Sequence, residues 1–183
     1  PRPEYPRPQL VRADWLNLNG PWALAFDPGI SGVERGLPAG EGFDGGRSGP
    51  ARETVVPFCP ESSLSGIGDT DFHLCVWYRR SVQVPAEWAG QRVLLHVGAC
   101  DHDARVWVNG RQAGWHRGGY TPFALDVTTL LRRGDNTIVI EARDFLQSIA
   151  SGQPVWPTFR DGYDVDRLIA AALRSVKERS WIT

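Results

Sequence analysis

The sequence predicts a mostly β chain, a β-sandwich with a short helical tail, and three observations carry that expectation. Apolar residues alternate with polar ones in several short runs, as in Arg105-Val106-Trp107-Val108, where Val106 and Val108 share one face and Arg105 and Trp107 the other. Turn residues punctuate these runs at short spacing, Asn109-Gly110 and Gly118-Gly119 most clearly. From Asp144 onward the apolar period changes from two residues to three or four.

The elements follow in chain order. Pro3, Pro6 and Pro8 forbid a helix at the start, so Pro1 to Pro8 is expected as an extended arm. Pro21 to Phe26 reads as a first strand, with Trp22, Leu24 and Phe26 on one face. Asp27 to Pro50 is polar and rich in Gly, and is expected as a flexible surface loop. Its Gly40-Glu-Gly42-Phe-Asp-Gly45 matches G-x-G-x-x-G, but no apolar strand precedes it and no helix can open after it, which excludes a dinucleotide site. Glu53 to Val56 is a short strand. Leu74 to Val84 is the longest, with Cys75, Trp77 and Arg79 opposite Leu74, Val76 and Tyr78. Pro85 to Gly90 turns the chain into Gln91 to Val97.

Asn109-Gly110 then closes a tight hairpin, because both residues tolerate the positive φ of a type I′ turn, and Gln112 to His116 pairs back. Phe123 to Asp126, a turn at Leu130-Leu131 and the strand Thr137 to Ala142 complete the sandwich. In the tail, Phe145, Leu146 and Ile149 suit one helical face ending at Gly152. Val165, Leu168, Ile169, Ala172, Leu173 and Val176 form the stripe of a second helix, capped by Asp161 or Asp164 and closed by Lys177 and Arg179. The division expected is 1–144 for the sandwich and 145–183 for the tail.

The chain has 183 residues, a net charge of −1 and 42% hydrophobic residues, a balance in which nothing argues for disorder, nucleic acid or an acidic partner. Cys59, Cys75 and Cys100 are three and lack C-x-x-C spacing, which argues against a disulfide framework or structural zinc. No apolar run reaches the roughly 18 residues of a membrane helix, and no apolar leader opens the chain; a cytoplasmic location is expected, with no membrane partner. The absence of Met and the Pro at position 1 fit removal of an initiator Met, so the chain is expected to begin at a natural N-terminus. Eight Trp residues exceed the roughly two or three of average usage. Trp-rich β domains stack indoles on sugar rings or fill their own cores, and both readings stand for this chain.

Five blocks in order carry a family resemblance: Asn17-Leu-Asn-Gly-Pro-Trp22; Val56-Pro-Phe58 with Glu61-Ser62 and Leu64-Ser-Gly-Ile67; Trp77-Tyr-Arg-Arg80; Cys100 to Asp126; and Gly134-Asp-Asn-Thr-Ile-Val-Ile140. Together they resemble the N-terminal sugar-binding domain of family 2 glycoside hydrolases, the β-galactosidase and β-glucuronidase group. The resemblance implies a galactose-binding-like jelly roll over about 1–144. It also implies a β-galactoside or β-glucuronide as ligand, and a role in buttressing a catalytic barrel. The tail is similar to the C-terminal end of the glucose–fructose oxidoreductase and inositol dehydrogenase family, through Asp144-Phe-Leu-Gln-Ser-Ile-Ala-Ser-Gly-Gln-Pro154, Asp161-Gly162 and Ala171-Ala-Leu-Arg-Ser175. The join at Asp144 is read as a fusion, a rearrangement or a laboratory joining. The tail helix is expected to cover the sandwich edge or a second copy of the chain.

The chemistry follows from both readings. Glycoside hydrolysis needs two flanking carboxylates roughly 5–9.5 Å apart, and no such pair is identified, so no catalytic residue is expected. The family's Glu pair lies in a barrel beyond this resemblance. Asp144 stands where some β-galactosidases place a carboxylate at the edge of the active site, whereas Glu53 stands near the place of an Asn those enzymes use. Asp101-His102-Asp103 alternates in direction and is expected as a solvated strand entry, so neither a metal nor a cofactor is expected. Trp107, Asn109, Trp115, His116 and Tyr120 are the candidate sugar-binding residues, with Asp144 beside them, since indoles, an amide and an imidazole suit a polyol with an apolar face. The function expected is a non-catalytic carbohydrate-binding or scaffolding domain. The alternatives are a truncated or fused product without independent activity, a hydrolase fragment working with a separate barrel chain, or an oxidoreductase-related protein.

Overall fold

The computed structural model describes residues 12–44, 52–144 and 159–178, with side chains in the last range limited to Tyr163 and 166–178. The chain divides into two compact units, Pro1–Asp144 and Phe145–Thr183. The N-terminal arm and the first expected tail helix lie outside the described residues.

The first unit is built from eight strands: β1 (Gly20–Phe26), β2 (Arg52–Val56), β3 (Cys75–Gln83), β4 (Leu94–Val97), β5 (Asp103–Val108), β6 (Arg111–Arg117), β7 (Phe123–Asp126) and β8 (Asp135–Arg143). Six form one antiparallel sheet in the order β2-β1-β3-β8-β5-β6, and β4 pairs with β7 in a second. The Asn109-Gly110 turn closes the β5–β6 hairpin as expected. Asn109 takes φ 53° and Gly110 φ 79°, the left-handed values such a turn requires. A bulge at Val106/Trp107 absorbs one residue of β6.

Alternation gives the large sheet two faces of different character. Its inner face buries Trp22, Val82, Val106, Val108 and Ile138 against Leu95 of β4, with Phe123 and Leu125 of β7 packed alongside. Close approach is needed here: a Cβ on Gly114 would lie 2.6 Å from Leu125 Cδ2, so the small residue lets β7 settle on β6. The two sheets thus make a sandwich, the expected fold class.

The outer face is covered at one end by the segment from Asp27 to Asp44. That segment differs from the expected surface loop. Leu37 and Phe43 are fully buried and pack with Trp77, Trp107, Val139 and Ala25 as a second core. Isolated apolar residues among glycines carry no period, so their burial leaves no trace in a pattern search. Asp27 fastens the segment. Its carboxylate accepts from Gly32 N at 2.7 Å and Trp77 Nε1 at 3.0 Å, and pairs with Arg35 Nη2 at 2.8 Å. Gly32 lies flat on the Trp77 ring, where a Cβ would come within 2.4 Å of the indole.

The second unit contains one helix, α1 (Phe159–Glu178). It begins earlier than expected, so Asp161 and Asp164 lie inside it and neither caps its start. Gly162 is carried within the helix despite its low propensity, which shows that the local penalty of about 1 kcal/mol does not set the boundary. Leu168, Ile169, Leu173 and Val176 of the stripe are exposed. No helix among the described residues is long and apolar enough to cross a membrane.

Candidate functional site

The six candidate residues do not share one surface. Trp107 is buried beneath the Asp27–Asp44 segment, its indole 5.2 Å from that of Trp77. The Asn109 amide is spent on tying the hairpin turn to β8 and the turn before it: Nδ2 donates to Leu130 O and to Asn136 Oδ1, both at 2.8 Å, and Oδ1 accepts from Thr137 N at 3.0 Å. His116 points to the inner side of β6, stacked on Phe123 with ring centres 4.5 Å apart, and its Nε2 meets Thr121 Oγ1 at 2.9 Å. These contacts fasten the Gly118–Thr121 corner, from whose tip Tyr120 projects 92% exposed. Asp144 follows β8, its amide bonded to Leu74 O. Trp115 alternates to the outer face of β6 and is 62% exposed.

Around Trp115 the register assembles a set of residues that sequence reasoning did not single out. One row across the outer face reads Trp77, Glu141, Arg105, Trp115, on β3, β8, β5 and β6; the next reads Cys75, Arg143, Asp103, Arg117. Glu141 is fully buried and takes Arg143 Nη2 at 2.9 Å, with Arg105 Nε at 3.9 Å. Asp103 takes Arg117 Nε at 2.9 Å, and Arg105 Nε lies 3.9 Å away. Arg117 also sits by the Trp115 indole, its guanidinium carbon 5.8 Å from the ring centre. Of the strand entry expected to be solvated, Asp101 is exposed but His102 and Asp103 are buried at 5% and 8% exposure, and Arg117 supplies the charge that burial of Asp103 demands. A signal was present in the period-two charges Asp103/Arg105 and Glu141/Arg143 and in the period-two pair Trp115/Arg117, but it converges only once register is known.

Other polar groups are local. Burial, with a smaller contribution from Asp101, pushes the Cys100 thiol up to about 12. Burial first, and then the Glu141 and Asp27 carboxylates, raise Cys75 well above an ordinary thiol. On β7, the Asp126 carboxylate is held down at about 2 by the Thr128 hydroxyl and by Arg92 Nε at 2.8 Å. Among the described residues no three His, Cys, Asp or Glu side chains gather as metal ligands.

Comparison with known proteins gives this sandwich its relatives. Residues 70–151 match the family described as glycosyl hydrolases family 2, sugar binding domain. The sandwich is a family 2 sugar-binding domain. A β-glucuronidase of Paenibacillus borealis is 30% identical over 146 residues, which are 78% of this chain and 23% of that protein. The β-glucuronidase of Felis catus is 36% identical over 144 residues, 71% of this chain and 20% of that one. A β-glucuronidase from Ruminococcus gnavus, solved in complex with a C6-substituted uronic isofagomine, superposes with a TM-score of 0.60 at 26% identity, covering 69% of this chain and 21% of that one. The chain thus spans between a fifth and a quarter of these relatives' length. The likeness of the tail to oxidoreductases finds no support in these comparisons.

Proposed function

We propose that the chain works as a non-catalytic carbohydrate-binding and scaffolding domain of a β-glucuronidase- or β-galactosidase-type protein. The observation that carries this reading is the family 2 match over residues 70–151, together with a sandwich that superposes on 21% of a β-glucuronidase chain. The geometry agrees with a non-catalytic role. Both buried acids of the outer face, Asp103 and Glu141, are bound by arginines, not set as a facing pair with space for a glycosidic bond between them. The test is turnover of nitrophenyl β-glucuronide and nitrophenyl β-galactoside by the pure chain. No release above a heat-treated control is expected; hydrolysis above it contradicts the reading.

The exposed stripe of α1 supports self-association as part of this function. Sedimentation across a hundredfold concentration range should show a dimer that the double variant Leu168→Glu/Leu173→Glu abolishes. A wild-type chain that stays monomeric throughout contradicts it.

A further inference from the structure

The covering segment leaves one end of the outer sheet face open, and that end has a composition of its own. Arg105, Arg117 and Arg143 stand against Asp103 and Glu141, three guanidinium groups to two carboxylates in this ion-pair cluster. Arg143 is taken up by buried Glu141, its side chain only 16% exposed. Arg105 and Arg117 differ. Both meet carboxylates through Nε, and their side chains remain 35% and 38% exposed. A guanidinium carries five N–H donors in a planar fork, more than these contacts use. Trp115 lies directly across from Arg105 and two residues before Arg117 on the same face, so the three Cβ atoms fall within roughly 5–7 Å of one another. The Arg117 guanidinium carbon is 5.8 Å from the indole ring centre.

From this juxtaposition we infer that the open end binds an acidic pyranoside. The apolar face of the sugar ring stacks on Trp115, and its carboxylate or sulfate receives N–H donors from Arg117 and Arg105. Each half of such a ligand meets a matching group: the ring C–H face meets an exposed indole, and the planar acid meets a fork already oriented by Asp103. A neutral sugar meets only the indole. An inorganic anion meets only the forks. The surface is open, so binding is weak, in the millimolar range expected when few groups are desolvated.

This inference rests on the carbohydrate-binding reading, and the experiment separates the two. The full chain is titrated by NMR with methyl β-glucuronide, glucose 6-sulfate, methyl β-glucoside, sodium acetate and sodium sulfate, following the Trp indole N–H signals. The expected result is saturable shifts of the Trp115 indole with at least one acidic sugar. Affinity should be about tenfold higher than for the neutral glucoside or either simple anion. The two acids are told apart by which sugar binds more tightly. Trp115→Ala, at an exposed position, should lose the binding without altering the rest of the spectrum. Arg117→Lys, which keeps the charge facing Asp103 but not the fork, should weaken it severalfold. Binding unchanged in Trp115→Ala, or equal for neutral and acidic sugars, overturns the inference and leaves the carbohydrate reading standing. Simple anions binding as tightly as the sugars also overturn it. No response to any sugar overturns both.

Discussion

The two ends of the outer sheet face share the β5–β6 hairpin, yet they do opposite things. Each presents a Trp on the β5–β6 hairpin, Trp107 at one end and Trp115 at the other. Over Trp107 the segment Asp27–Asp44 lays Leu37 and Phe43, and the indole is buried against Trp77. Trp115 is 62% exposed, and the neighbouring positions are arginines paired with acids. An indole becomes core or contact surface according to what a distant, irregular segment covers, not according to its own strand. That is why the eight Trp of the sequence could not be sorted by type alone.

Breaking the covered end should have the largest effect. Trp77→Ala removes the fully buried indole on which Gly32 and Trp107 rest, and should cost about 3–5 kcal/mol in urea denaturation. Asp27→Ala leaves Trp77 Nε1 and Gly32 N without this acceptor and removes one partner of Arg35. A loss of about 2–4 kcal/mol is expected from the buried donors it strands. If both variants melt as the wild type does, the segment does not cover this face in solution.

Chemical protection sharpens the contrast on a smaller scale. Cys75 lies in the second core and Cys100 has its thiol pushed up to about 12, whereas Cys59 is exposed. Iodoacetamide at pH 8 on native protein should therefore label Cys59 and spare the other two, as read by peptide mass. Rapid labelling of Cys75 would mean that its end of the face opens readily.

The smallest effect concerns an ion pair with no cover at all. Asp126, on β7, owes its depressed pKa of about 2 to Thr128 and Arg92. Because the folded value lies below the usual carboxylate value, the stability it contributes is present above about pH 4. That contribution fades as pH falls toward 2. Thr128→Val should move the NMR titration of Asp126 back toward the ordinary carboxylate range. An unchanged midpoint would remove the hydroxyl as the main cause.

Much of the strand framework was legible because alternation and turn chemistry act locally. The faces of Leu74–Val84, the Asn109-Gly110 hairpin and the Phe123–Asp126 strand needed only neighbouring residues to be read. The site was less legible. Arg105, Arg117 and Glu141 come from three strands whose order in the sheet, β8-β5-β6, departs from chain order, so no spacing in the sequence brings them together. Asn109 looked like a ligand because an amide carries no mark of whether it faces a sugar or its own backbone. Leu37 and Phe43 were hidden among glycines, and their burial decides which Trp is free.

The most direct test of this account is a parallel denaturation of Trp107→Ala and Trp115→Ala, two identical truncations on one hairpin. Trp107→Ala should lose about 3–5 kcal/mol, while Trp115→Ala should stay within about 0.5 kcal/mol of the wild type. Equal losses in the two variants would contradict the division of the face into a covered end and an open one.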